Sequence, residues 1–349
     1  MGEFELIARF FNPADAPAPD ERVALGIGDD CALLHPAPGQ QLAVSSDMLV
    51  EGRHFFADAA PENLGHKALA VNLSDLAACG AEPLAFTLAL ALPTERARDH
   101  AWLGAFSHGL LALARQHRCP LVGGDTTAGP LNICITVFGQ VPPGQALRRS
   151  GAQAGDDIWV SGTLGDARLA LGALRSEWAL PPAALHTASQ RLHRPSPRVA
   201  LGLALRGIAT AAADISDGLA GDLGHILHAS GTGAWLDAQI ASDLIAINPF
   251  LLRANGQYDS SGALLHLPTP AQRLHSALSG GDDYELVFTA PAAARTAVQA
   301  AGQQTATAVT RIGAITAGSG LHLRQPDGRT TPLAARAFDH FGHSAPPPP

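Results

Sequence analysis

Apolar positions recur at helical spacing over residues 62–79, Leu64, Ala68, Val71, Leu76 and Ala77 among them. The pattern predicts a helix there, with Pro83 as its stop. A second amphipathic helix is predicted over 95–117, and shorter ones over 3–11 and 198–205. Between them lie short apolar runs of strand character at 41–45, 86–92, 121–122, 131–141, 157–161, 208–213, 284–289 and 308–315. A Pro/Asp-rich loop is expected over 12–20, and helical patterning resumes after Asp217. Helices and strands mix throughout, which places the chain in the α/β or α+β class. Pro142-Pro143-Gly144 makes a natural boundary. With 349 residues the expectation is two domains, 1–148 and 149–343, and a disordered tail at 344–349 that ends in four prolines.

Composition narrows the function classes. Hydrophobic residues make up 46% and charged residues 15%, below the ~25% usual for soluble domains. That is enough apolar material for a sizeable core. The net charge of -8, from 23 basic and 31 acidic residues, argues against nucleic acid or an anionic membrane as partner. The N-terminus MGEFELIARFF lacks the basic region and apolar length of a signal peptide, and no apolar stretch is long enough to span a bilayer. Cys31, Cys79, Cys119 and Cys134 form no Cys-x-x-Cys pair, so a zinc site is not expected and a reduced, cytoplasmic protein is. Asn72-Leu73-Ser74 matches a glycosylation sequon, which means little without a secretory route.

One design repeats along the chain: an apolar strand running into Ser, Gly and Asp at its end. It occurs at Gly28-Asp29-Asp30, Ser45-Ser46-Asp47, Gly123-Gly124-Asp125, Asp214-Ile215-Ser216-Asp217-Gly218 and Gly280-Gly281-Asp282-Asp283. Asn72 and Asp75, three residues apart, share a helix face. Any one of these segments reads as an ordinary turn or cap. Their number, with few bases nearby, points instead to hard cations that prefer oxygen ligands, Mg²⁺ or Ca²⁺. EF-hand spacing is absent. Mg²⁺ held by a few carboxylates normally completes its shell with substrate phosphates, so a phosphate ligand is expected. Lys67 is the sole lysine, which excludes a Walker A loop and a protein-kinase lysine set. Gly26-Ile27-Gly28 begins like a dinucleotide fingerprint, but Cys31 takes the third glycine's place.

Taken together the motifs resemble those of the thiamine-monophosphate kinase family, in the superfamily of aminoimidazole ribonucleotide synthetase and selenophosphate synthetase. The matching stretches are Gly26–Ala32, Ser45–Phe55, Lys67–Ala78, Gly123–Thr127, Arg149–Ala152, Pro195–Arg198, Asp214–Leu219 and Gly280–Leu286, in family order toward Phe338. The resemblance implies that Asp30, Ser45, Ser46, Asp47, Asp75, Asp125, Asp214 and Asp217 bind several Mg²⁺ ions. It implies that Gly124, Asp125, Arg149 and Ser216 contact ATP. His54 and Asp282 would touch thiamine monophosphate, and Phe338 would pack on its aromatic ring. The implied fold is an N-terminal α/β domain whose strands pair with a second subunit in a homodimer, and a C-terminal α/β domain, with nucleotide in the cleft between them.

Three positions depart from the family: Ser46 for threonine, Arg53 for a smaller residue, and Asp282 for glutamate. The rivals are another synthetase of the superfamily, a nucleotide-binding regulator without catalysis, and a metal-binding structural protein. A selenophosphate synthetase would carry a reactive Cys or selenocysteine before Cys31, and none is there.

Overall fold

The computed structural model describes residues 2–12, 21–254, 256 and 265–334. The expected loop lies outside the described residues from Pro13 to Asp20, and the proline tail lies outside them entirely.

A ribbon of β1 (Val23–Leu25) and β2 (Leu33–Leu34) precedes a sheet of β3 (Gln41–Val50), β4 (Glu82–Leu92), β5 (Leu121–Ala128) and β6 (Asn132–Val141), ordered β3-β6-β4-β5. β6 is antiparallel to both neighbours, and β4 runs parallel to β5. Alternation along the strands sends Leu49, Phe86, Leu90, Ile133, Ile135 and Val137 to one buried face. The helix Pro61–Cys79 covers that face, and the helix His100–Gln116 packs on it in turn. Two glycines permit the helices to cross closely. A Cβ on Gly65 would lie 2.0 Å from the Phe106 carbonyl, and one on Gly109 would lie 1.9 Å from the Glu62 carbonyl. The opposite face of β3 leaves Leu42, Val44 and Met48 about half exposed.

Several expectations shift. The long helix ends at Gly80, whose left-handed backbone (φ 62°) lets its N–H bond back to Ala77. Pro83, expected as the stop, sits inside β4 beside a bulge. The expected 95–117 helix is two, Thr94–Arg98 and His100–Gln116, split at Asp99, whose carboxylate caps the second by accepting the Trp102 N–H at 2.9 Å. Ser45-Ser46-Asp47 and Gly123-Gly124-Asp125 are not strand ends. β6 pairs β3 across all ten residues, and β4 pairs β5 through Ala128, so both motifs lie within strands.

The second sheet is built from β7 (Asp157–Ser161), β8 (Ala211–Ile215), β9 (Gly233–Asp237), β10 (Glu285–Ala290), β11 (Val309–Thr316), β12 (Gly320–Arg324) and β13 (Thr330–Leu333), ordered β13-β12-β9-β11-β7-β10-β8. Only β12 with β9 is parallel. One face, with Ile158, Val160, Ala213 and Val287, packs under helices that include Asp166–Leu174 and Leu219–Ser230. The other face, with Trp159, Ala212, Leu286 and Phe288, joins the same apolar cluster as the first domain's helices. The two halves therefore share a core, and the class is mixed α/β.

Candidate active site

Where the halves meet, β3, the Pro61–Cys79 helix and the end of β8 bring carboxylates together. Ser45 donates to Asp75 Oδ2 at 2.5 Å, the Asp47 N–H bonds Asn72 Oδ1 at 3.1 Å, and Ser74 donates to Asp214 Oδ2 at 3.0 Å. Asn72, Ser74 and Asp75 come from one stretch of helix, so the helix bridges the first sheet to the second. Past β8 the chain turns at Gly218 into the helix Leu219–Ser230, and Asp222 in its first turn accepts the Ser216 and Asp217 N–H groups, both at 3.1 Å.

The electrostatics are those of crowded acids. Burial pushes the Asp47 carboxyl up to about 6, and the charges of Asp75 and Asp217 add to the rise. Burial raises Asp75 as well, opposed by the Ser45 hydroxyl and by Arg149. Asp214, fully buried, is held well above the carboxylate range by desolvation, Asp75 and Asp222. Burial and Asp217 take Asp222 up to about 7 against the pull of Arg149. Crowded carboxylates opposed chiefly by one guanidinium fit an oxygen-seeking dication. Among the described residues no three His, Cys, Asp or Glu side chains are placed to hold an ion by themselves.

A cavity beside this group is lined by Arg53, His54, Phe56, Lys67, His193 and Asp282, among others. His54 Nδ1 accepts the Val50 N–H at 3.0 Å, which aims the ring from the turn after β3. The Gly280–Tyr284 segment is tied to the end of β8: the Asp282 N–H bonds the Ser216 carbonyl and the Tyr284 N–H the Ile215 carbonyl, both at 2.8 Å.

Both halves match models of known domains: the AIR synthase related protein N-terminal domain at residues 28–141 and the AIR synthase related protein C-terminal domain at 153–325. Thiamine-monophosphate kinase of Escherichia coli strain K12 is 46% identical over 342 residues, covering 97% of this chain and 98% of that protein. The Salmonella typhimurium thiamine-monophosphate kinase is 44% identical with the same coverage. The chain belongs to the thiamine-monophosphate kinase family. Its fold agrees: the thiamine-monophosphate kinase of Stenotrophomonas maltophilia K279a superposes with a TM-score of 0.76 at 46% identity, covering 88% of this chain and 92% of that one. AaThiL complexed with AMPPCP and TMP superposes at 0.71 with 28% identity, covering 88% and 89%.

Within this kinase-family scaffold the expected residues separate. Ser45, Asp47, Asp75, Asp214 and Asp217 converge. Ser46 does not share their side of β3: its hydroxyl meets Thr136 at 3.0 Å and the Ile135 carbonyl at 3.1 Å, because neighbouring strand residues alternate faces. Asp125 is on β5, separated from β3 by two strands, or roughly 14 Å at strand spacing. Asp30 is exposed in the turn between β1 and β2, its N–H bonded to the Asp29 side chain at 2.8 Å. Gly124 has a packing reason of its own: at φ 144° a Cβ would lie 1.8 Å from the Leu88 carbonyl and break the β4–β5 pairing. Phe338 lies outside the described residues. Sequence reasoning missed Ser74 and Asp222, and it used Lys67 only to exclude other folds. Ser74 and Lys67 occupy the same helix as Asp75, and Asp222 follows Asp217 by five residues, so a search along those two helices could have found all three.

Proposed function

We propose that this protein transfers the γ-phosphoryl group of ATP to thiamine monophosphate, giving thiamine diphosphate and ADP, the last step in making that cofactor. The observation that carries the reading is the buried, mutually repelling carboxylate group at the junction of two domains of this family. AaThiL has been solved with AMPPCP and TMP, the same pairing of a nucleotide with a phosphorylated acceptor.

In this reading Ser45, Asp47, Asp75, Asp214 and Asp217 hold Mg²⁺, and Asp30, Ser46 and Asp125, which the resemblance implies as further ligands, lie apart from that group. When bound, Mg²⁺ neutralises two polyanions and lets them align for in-line transfer. Arg149, whose charge already reaches Asp75 and Asp222, binds the nucleotide phosphates with Gly124, Asp125 and the Ser216 segment that Asp222 fixes. His54 and Asp282 hold the acceptor, with Phe338 against its ring. The attacking oxygen belongs to a phosphomonoester whose second pKa is ~6, so it is anionic at neutral pH and needs no side-chain base. Transfer is direct, with inversion at phosphorus. The protein acts as a cytoplasmic homodimer. Its four free cysteines and the lack of a membrane-spanning helix among the described residues are consistent with that location.

Purified protein with ATP, Mg²⁺ and thiamine monophosphate should yield thiamine diphosphate and ADP. Asp75→Asn should lower turnover by about 10²-fold or more while the protein stays folded. No thiamine diphosphate from wild type at any Mg²⁺ concentration would overturn the reading.

A further inference from the structure

Lys67 carries none of the roles given above, yet its placement is specific. It is the only lysine among 349 residues and has 5% of its side chain exposed. Its Nζ lies 2.7 Å from Asp282 Oδ1 and 5.9 Å from the centre of the Tyr284 ring. The pair joins the Pro61–Cys79 helix of the first domain to the Gly280–Tyr284 segment of the second. Asp282 keeps 30% of its side chain exposed on the cavity that His54 also lines. Lys67 lines that cavity too, and of the pair the carboxylate is the more exposed to it.

The backbone around Asp282 is strained and firmly held. Asp282 and Tyr284 both have left-handed φ values, 61° and 49°, which side chains beyond glycine seldom adopt. Such strain persists only where the surroundings over-determine it, and it gathers at functional sites. Here the Asp283 carboxylate accepts the Gly165 N–H at 2.9 and 3.2 Å. Glu285, fully buried, accepts from Ser161, Arg191 and Arg198, each at 2.5 Å. These bonds fix the segment from behind and leave the aim of the Asp282 side chain to Lys67.

We propose that Lys67 is a positioning residue for the acceptor: it orients the Asp282 carboxylate, so that the site selects a ring that is cationic or donates N–H. A carboxylate with one oxygen fixed by a buried ammonium presents the other at a set angle, where it can accept from an amine or face a cationic ring. This rests on the function proposed above, since thiamine monophosphate carries both a cationic ring and an aminopyrimidine.

The test is calorimetric binding to the full-length protein with Mg²⁺ and a non-hydrolysable ATP analogue. Three ligands are compared: thiamine monophosphate, oxythiamine monophosphate, which lacks the amine, and deazathiamine monophosphate, whose central ring is neutral. Wild type should discriminate at least tenfold against one of the analogues. Lys67→Met should weaken thiamine monophosphate at least tenfold and collapse that discrimination, with affinity for the nucleotide analogue within twofold of wild type. Lys67→Arg, which keeps the charge, should retain most of the discrimination and guards against a folding defect in Lys67→Met. The double variant with Asp282→Asn should bind no worse than Asp282→Asn alone. Unchanged discrimination in folded Lys67→Met, or multiplicative losses in the double variant, would overturn the inference and leave the kinase reading standing. Failure of wild type to bind thiamine monophosphate would overturn both.

Discussion

Asp157 shows what a carboxylate does in this fold when it has enough partners. It opens β7 and is buried, with Arg295 donating at 2.6 and 2.9 Å and Arg311 at 3.2 Å. The hydrogen bond from Arg295, helped by Arg311 and by the two positive charges, holds its carboxyl below the usual range despite burial. A folded-state value below the unfolded ~3.9 means the stabilisation is complete above that pH and lost as pH falls through the folded value. Asp157→Asn should therefore cost about 2 kcal/mol in urea unfolding at pH 7, and the gap from wild type should close below pH 4. A gap independent of pH would show that shape, not charge, is what Asp157 supplies. Asp47, Asp75, Asp214 and Asp222 have the opposite character, raised because burial and like charge outweigh their few donors. The contrast separates an acid satisfied by its partners from acids crowded together with few donors.

At the scale of elements, the Pro61–Cys79 helix organises the molecule, and its fit depends on bare backbone. The helix Val199–Ala204 runs Gly202 so close that a Cβ would lie 2.1 Å from the Ala77 carbonyl, and Arg206 donates to the Gly80 carbonyl at 2.6 Å. Gly202→Ala should destabilise the protein by about 1–3 kcal/mol and lower turnover, since the helix it displaces carries Asp75. An unchanged unfolding midpoint would refute so close a contact. This helix was legible from its apolar period, and Asp214 and Asp217 from the strand-then-aspartate context at the end of β8. Its end was not, because Gly80 in a left-handed cap stops it before Pro83 can. The strands at Ser45–Asp47 and Gly123–Asp125 were cut short in the reading because Ser, Gly and Asp disfavour strands locally, while β6 and β4 supply ladder partners that override that preference. Hence the sequence could group Ser45, Ser46 and Asp47 but could not tell that pleating sends Ser46 to the other face. Asp222 was passed over for a different reason: it acts through backbone N–H groups five and six residues before it, a contact made only once the helix forms.

On the scale of the whole molecule, the first sheet has one face covered by helices, and among the described residues its other face is covered by the β1–β2 ribbon at Ala85 and Val122 but exposed along β3. Leu42, Val44 and Met48 on that face are exposed by 49%, 56% and 52%, and Leu33 of the neighbouring ribbon by 54%. A second copy of the chain is the occupant the proposed homodimer puts there. Val44→Lys with Met48→Lys should convert a dimer to a monomer in size-exclusion chromatography with light scattering, and a wild-type monomer at micromolar concentration would refute the assembly. The joint between the domains has a separate, practical consequence. A chain with one lysine has a single side-chain amine, and here it is folded into the floor of the cleft. Amine-directed reagents, which label most proteins indiscriminately, would have one interior target in this one, so their rate of attack becomes a direct gauge of how often the two halves part.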